Sequence, residues 1–380
     1  MDNLLQGNVL ERIKDIPTKS IQCVVTSPPY WGLRDYGTAR WNGGSEECDH
    51  KPEFKVSSST TVGSDIKDVG KKYYRNICRK CGAKRVDEQL GLESTPQEYV
   101  YNMVNVFREV KRVLKSDGTL WLNIGDSYAS SGQFGKPGEQ NIGPKSLSHG
   151  RAPTPAGLKV KDLVGIPWRL AFALQEDDWY LRQDIIWAKG NPTPESVKDR
   201  CTKSHEYIFL MTKSAKYYYD YKAIAEKSIH FESDNRSKLG RVPHKSGKSI
   251  LPDSQYAFNG VGYSEDGMKN KRSVWNINTK PYSEAHFAVF PEKIPELCIK
   301  AGSKVGDTVL DPFFGSGTTG YVAQRLDRKW VGIELNPEYI KIAEQRFRQQ
   351  ELFAPHGSEM EEIDYITYHD PGDENDKRNN

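Results

Sequence analysis

The chain is expected to fold as an α/β protein built on a doubly wound, mostly parallel sheet that carries insertions. Three observations predict this. Short apolar runs alternate with segments of helical period, and the runs lack the period-two alternation of a half-exposed antiparallel sheet. At 380 residues the chain has room for one large α/β domain with appended pieces. A glycine-rich turn, Gly315-Ser316-Gly317, joins an apolar run to a helical segment, the form taken where such sheets bind ligands at the carboxyl ends of their strands.

The first run, Ile21–Thr26, is stopped by Ser27-Pro28-Pro29 and reads as a buried strand ending in a rigid loop. Further strands are expected at 119–125, 184–188, 207–211, Thr308–Asp311 and 330–334. From Pro96 to Leu114 the apolar residues Tyr99, Met103, Val106, Phe107, Val110 and Val113 recur at three and four, an amphipathic helix for which Thr95 supplies the cap. Helices are also expected at 167–176, 291–301, 318–326 and 337–348. Three stretches break the pattern: 40–92, 130–161 and 222–272. A catalytic domain over 1–350 is therefore expected to hold insertions at 40–92 and 222–272. The tail 369–380 has no apolar content and is expected to be disordered.

Charged residues make up 28% of the chain and hydrophobic ones 36%, and no apolar run is long enough to cross a bilayer. The first residues lack the basic, apolar and small-residue segments of a secretory signal, so a cytoplasmic location is expected. A net charge of +3 does not by itself announce nucleic acid; phosphate contacts would come from local clusters of Lys and Arg. The cysteines are unevenly scattered and suggest no disulfide framework. Within 40–92, however, Cys48-x-His50 and Cys78-x-x-Cys81 supply four ligands suited to tetrahedral zinc in a closed structural site, with separate reduced thiols on a loop as the alternative.

The turn at Gly315 and Gly317 lets the backbone approach a ligand ahead of a helix with free N–H groups. About twenty residues on, a second strand ends in Glu334, suited to accept hydrogen bonds from two ribose hydroxyls. No Lys follows the turn as in a P-loop, and no third glycine stands at dinucleotide spacing, so phosphate-binding readings lose ground. In Ser27-Pro28-Pro29-Tyr30 the prolines lock an extended loop and leave the Pro28 carbonyl free to accept. An exocyclic base amine attacks a sulfonium methyl only when its protons are held and its nitrogen moves toward tetrahedral. Ser27 Oγ and the Pro28 carbonyl would hold those protons while Tyr30 stacks on a base flipped from the duplex.

The segments TSPPY (26–30), DPFFGSGTT (311–319) and GIELNPEY (332–339) together resemble the catalytic, cofactor and ribose motifs of the DNA amino-methyltransferases. Their order resembles the subgroup whose catalytic motif comes first. The resemblance implies the S-adenosylmethionine-dependent methyltransferase fold, S-adenosyl-L-methionine as cofactor and double-stranded DNA as partner. It implies that Asp311, Phe313, Gly315 and Gly317 surround the methionine end of the cofactor and that Glu334 binds its ribose. Phe290 and Pro291 would line the same pocket or simply pack. Segment 222–272 lies where the family carries target recognition. Ser at the first catalytic position goes in this family mainly with cytosine N4 and Asp mainly with adenine N6, so cytosine N4 is favoured and adenine N6 stays open. Methylation of cytosine C5 would call for a Pro-Cys nucleophile, and no Pro-Cys pair occurs. A catalytically silent DNA-binding protein of the same fold is the alternative from another class, and a restriction endonuclease partner cannot be inferred from sequence.

Overall fold

A computed structural model of the chain describes residues 3–32, 36–50, 53–55, 71–73, 77–129, 157–227, 268–279 and 290–353; the side chains of 53–55, 71–73 and 349–353 fall outside this description. Most of the expected recognition stretch (228–267), most of 130–161 and the tail 369–380 lie outside the described residues.

Eight strands form one sheet: β1 (Leu4–Gln6), β2 (Ile21–Thr26), β3 (Leu114–Ile124), β4 (Tyr180–Ala188), β5 (His205–Thr212), β6 (Val274–Asn276), β7 (Thr308–Asp311) and β8 (Lys329–Glu334). Their spatial order is β1-β8-β7-β2-β3-β5-β4-β6. Every neighbouring pair is parallel except those made by β5, which runs against both β3 and β4. The amino end of β5 therefore sits at the same edge of the sheet as the carboxyl ends of all the other strands.

Both faces are covered, as the lack of alternation predicts. In β2, Val24 packs into one core while Cys23 and Val25 pack into the other, and all six residues of the strand are buried. The Val24 side is filled by α1 (Val9–Arg12), α2 (Pro96–Val113) and α3 (Ile166–Glu176) through Val9, Tyr99, Phe107 and Leu170. The opposite side is filled by α4 (Lys293–Gly302), α5 (Thr318–Arg325) and α6 (Pro337–Phe353) through Cys298, Val322 and Phe347. Helix α2 starts where its cap residue predicts: Thr95 Oγ1 accepts the Glu98 N–H at 3.2 Å, and the Glu98 carboxylate turns back to the Ser94 N–H.

Three elements carry too few residues to show a period in sequence: β1, α1 and β6. Strand β1 exists through its pairing with β8, Leu5 opposite Ile333. The other expected elements form with shifted ends; α4 begins at Lys293, and Pro291 stands ahead of it with its carbonyl accepting the Ile294 N–H. The insertion 40–92 contains two short antiparallel ladders, Arg40–Asn42 with Lys84–Val86 and Glu53–Lys55 with Lys71–Tyr73. The insertion 222–272 is rooted by Glu226–Lys227 pairing with Met268–Lys269.

Candidate active site

Three adjacent parallel strands, β8, β7 and β2, end side by side in Glu334, in Asp311 and just short of Ser27. The cleft at these ends is lined by Ser27, Pro29, Phe290, Asp311, Phe313, Gly315 and Glu334 among others. Pro28, Tyr30, Pro291 and Gly317 are not in its lining.

Asp311, only 2% exposed, organises the glycine turn. Its Oδ1 accepts Thr26 Oγ1 at 2.7 Å and the Phe313 N–H at 3.0 Å, and its Oδ2 accepts Thr319 Oγ1 at 2.8 Å. The carboxyl thus ties β2, the turn and α5 together, and burial pushes its pKa up to about 6. Glu334 accepts the Gly315 N–H on Oε2 and the Asn336 N–H on Oε1, each at 2.7 Å. Burial, assisted by the nearby Asp311 charge, pushes its pKa up to about 7. Each Glu334 oxygen keeps a second lone pair for a hydroxyl in the cleft. The two glycines differ. Gly315 (φ +53°) opens on empty space, whereas a Cβ on Gly317 (φ +81°) would stand 3.1 Å from Ala343 Cβ and from the Phe314 ring. Gly317 makes the turn and admits α6 behind the cleft wall.

The residues expected to be catalytic sit beside this cleft. Ser27 Oγ lies 3.4 Å from Tyr30 Oη, and Tyr30 Oη donates to Glu206 Oε2 at 2.6 Å. Lys189 Nζ reaches Glu206 Oε1 at 2.5 Å, and Asn123 Nδ2 reaches Oε2 at 3.3 Å. Burial and then the Glu206 charge push the Tyr30 phenol well above its ordinary range, so its proton stays in the bond to Glu206. The Tyr30 ring rests on Gly125, where a Cβ would come within 2.6 Å of Cε2. The loop backbone is fixed by Tyr99 Oη donating to the Pro29 carbonyl at 2.9 Å, by Trp31 Nε1 donating to the Glu93 carbonyl at 2.9 Å, and by the Gly32 N–H donating to the Gly91 carbonyl at 2.8 Å. Among the described residues no donor reaches the Pro28 carbonyl.

Glu206, Lys189 and Asn123 are absent from the expected site. Their signal in sequence is slight: His205-Glu206 opens β5, Lys189 follows β4, and Asn123 is a polar residue inside the apolar run of β3.

A family model described as DNA methylase matches residues 21–345, most of the chain. The chain belongs to the N6/N4 DNA methylase family. Among relatives of this methylase, Type II methyltransferase M.Cfr9I of Citrobacter freundii is 43% identical over 349 residues, covering 92% of this chain and 88% of that protein. Type II methyltransferase M.SmaI of Serratia marcescens is 44% identical over 343 residues, covering 90% and 89%. Among solved structures, PvuII DNA methyltransferase (cytosine-N4-specific) superposes with a TM-score of 0.51 at 18% identity, over 90% of this chain and 85% of that one, a likeness of fold. The methylase is an S-adenosylmethionine-dependent DNA methyltransferase with the sheet of that fold class. Among the described residues no helix is long and apolar enough to cross a membrane.

Outside the cleft, the insertion of the methylase gathers Cys48, His50, Cys78 and Cys81, with all four ligand atoms within 4.8 Å of one another. Cys48 Sγ and Cys78 Sγ are 3.7 Å apart, and His50 Nε2 and Cys81 Sγ are 3.2 Å apart. Sulfurs about 2.3 Å from zinc at two corners of a tetrahedron are separated by about 3.7 Å, and a sulfur and a nitrogen by about 3.5 Å. These two distances match that geometry to within a few tenths of an ångström, and the remaining pairs lie within 4.8 Å. Backbone N–H groups of Ala83 and Ser45 hold the Cys81 thiol down, to about 6, toward the thiolate a metal takes. Gly44 is glycine for the same cluster: a Cβ there would stand 2.7 Å from Cys81 Sγ.

Proposed function

We propose that the methylase transfers a methyl group from S-adenosylmethionine to the exocyclic N4 amine of a cytosine flipped out of double-stranded DNA. The observation that carries this reading is the pair of acceptors beside the cofactor cleft: Ser27 Oγ lines the cleft, and the adjacent Pro28 carbonyl meets no protein donor among the described residues. Bound S-adenosylmethionine supplies an electrophilic methyl on a sulfonium. Glu334 would accept the ribose hydroxyls, Asp311, Phe313 and Gly315 would hold the methionine end, and Phe290 lines the same cleft. Ser27 Oγ and the Pro28 carbonyl accept the two amine protons, which frees the nitrogen lone pair from the ring for in-line attack. Tyr30 stacks against the flipped base, backed by Gly125. As the nitrogen gains its methyl it sheds one proton, and the line Ser27 Oγ, Tyr30 Oη, Glu206 carboxylate offers a hydrogen-bonded exit for it. No covalent enzyme intermediate is involved.

The Cys48, His50, Cys78 and Cys81 cluster is read as a structural zinc site, and 222–272 as the target-recognition segment. The Type II names of the relatives support a modification role, with a restriction endonuclease as the expected partner. The test is to incubate the protein with unmethylated DNA and S-adenosylmethionine, digest to nucleosides and identify the product by mass spectrometry. N4-methylcytosine is expected. N6-methyladenine would keep the mechanism and overturn the reading of Ser27; absence of any product would favour the silent DNA-binding alternative.

A further inference from the structure

The metal cluster and the cofactor cleft lie at opposite ends of one small ribbon. Its strands pair Arg40 with Val86, Trp41 with Arg85 and Asn42 with Lys84. Beyond one end both chains run into the cluster, Cys48 and His50 following Asn42 while Cys78 and Cys81 precede Lys84. Beyond the other end both run into the cleft wall, where Tyr36 and Thr38 face Glu88, Gln89 and Leu90. The wall is bonded across the same two chains. Thr38 Oγ1 donates to Asp87 Oδ1 at 3.1 Å, and the Tyr36 N–H donates to Gln89 Oε1 at 2.7 Å. It is also bonded to both halves of the active site. Asn336 Nδ2, two residues past Glu334, donates to the Tyr36 carbonyl at 3.2 Å, and Gly91 accepts from Gly32 in the catalytic loop. At the cluster end the Trp41 ring stacks on His50, centroids 4.7 Å apart and planes 12° apart, so the ribbon is packed directly on a ligand.

A two-stranded ladder of three residues per strand does not hold its register alone in water. Its two strands are also separated by 41 residues of chain that hold the second short ladder, and closing so long a loop opposes pairing. Four ligands drawn from both sides of that loop close it at one point when a metal binds, and three Cys with one His suit zinc over harder cations. Metal binding energy is then folding energy for the ribbon.

We propose that zinc held by Cys48, His50, Cys78 and Cys81 staples this ribbon and so fixes the outer wall of the cofactor cleft, which couples metal occupancy to affinity for S-adenosylmethionine. The proposal rests on the zinc reading and on the cofactor reading of the cleft. Without the metal only a fraction of molecules hold the wall in place, and apparent affinity falls by that fraction. Linkage makes the effect mutual: bound S-adenosylmethionine raises the affinity for zinc by the same factor.

The experiment uses the full chain. Metal content is measured by elemental mass spectrometry, and S-adenosylmethionine is titrated by calorimetry before chelation, after chelation and after zinc is returned, with circular dichroism at each stage. One zinc per chain is expected, with affinity falling about tenfold or more on removal, recovering on return, and the sheet signal unchanged. Gln89→Ala, on the cleft side, should keep its zinc and still bind S-adenosylmethionine more weakly, and this variant answers even where Cys78→Ser fails to fold. Stoichiometric zinc whose removal changes affinity by less than about twofold would overturn the coupling and leave the metal site standing. Absence of stoichiometric metal would overturn both, and a zinc-loaded protein that binds no S-adenosylmethionine would overturn the cofactor reading.

Discussion

Replacing Glu334 by glutamine separates two effects that oppose each other in the cofactor-free protein. The carboxylate is proposed to accept ribose hydroxyls, yet it must stand ionised in a cleft where burial has raised its pKa from 4.5 to about 7. Because the folded pKa lies above the unfolded one, the stability this group contributes is complete below about pH 4.5 and is lost as pH rises through about 7. The rise corresponds to about 3 kcal/mol at pH 8. An amide has no charge to bury, and it mimics the protonated acid, since both oppose the Gly315 and Asn336 N–H groups with one acceptor and one donor. Glu334→Gln is therefore expected to melt about 5 °C above wild type at pH 8 and within about a degree of it at pH 5. Affinity moves the other way. Exchanging two charge-assisted hydrogen bonds for neutral ones forfeits about 2–3 kcal/mol, or about 30- to 160-fold in Kd for S-adenosylmethionine. Scanning calorimetry at the two pH values and isothermal titration at pH 8 measure both. A variant that melts with or below wild type at pH 8 would refute the buried-charge reasoning, and an unchanged Kd would refute the ribose assignment.

Ser27→Ala and Tyr30→Ala should each lower methyl transfer by about a hundredfold or more while leaving the Kd for S-adenosylmethionine unchanged, because both are proposed to act on the base; loss of cofactor binding in either would mean their roles are misassigned. Glu206→Gln weakens the bond that holds Tyr30 and leaves Lys189 without its carboxylate partner, so kcat should fall about tenfold or more with the cofactor Kd intact. A pH profile of that variant matching wild type would argue against Glu206 receiving the proton. Gly317→Ala forces a side chain into φ +81° and against Ala343, and should cost about 1–3 kcal/mol in denaturant unfolding. A neutral result there would mean α6 does not pack as closely on the turn as the contacts require.

The parts of the site that could be read in sequence are those whose position follows from local chemistry. Ser27-Pro28-Pro29 ends a run without alternation, so the loop had to leave a buried parallel strand at its carboxyl end, and the turn at Gly315 leaves another. Once β2, β7 and β8 are neighbours, Ser27, Asp311 and Glu334 must meet. The choice between the glycines was not readable, because it is made by α6, whose Ala343 and Phe347 stand behind Gly317 but not behind Gly315. The same holds for the ribbon beside the Cys/His cluster: the spacing of the four candidate ligands is a local signal, but three-residue strands far apart in sequence leave none.

The omission of Glu206 has a different cause. An apolar run such as 207–211 announces a strand and says nothing of its direction, and a parallel sheet brings only carboxyl ends to its ligand edge. In a wholly parallel sheet His205-Glu206, opening its strand, would point to the opposite edge, far from Tyr30. Because β5 is reversed between β3 and β4, its first residues arrive at the functional edge, where Ile124 pairs with Tyr207 and Asn123, Lys189 and Tyr30 all reach one carboxylate. Strand direction is settled by the whole sheet, so a residue whose role depends on it cannot be assigned from its neighbours in sequence. The reversed strand also brings a negative charge to the edge where the flipped base is proposed to enter. Pairing with Lys189 lets that charge sit beside the phenol, with both partners less than a fifth exposed.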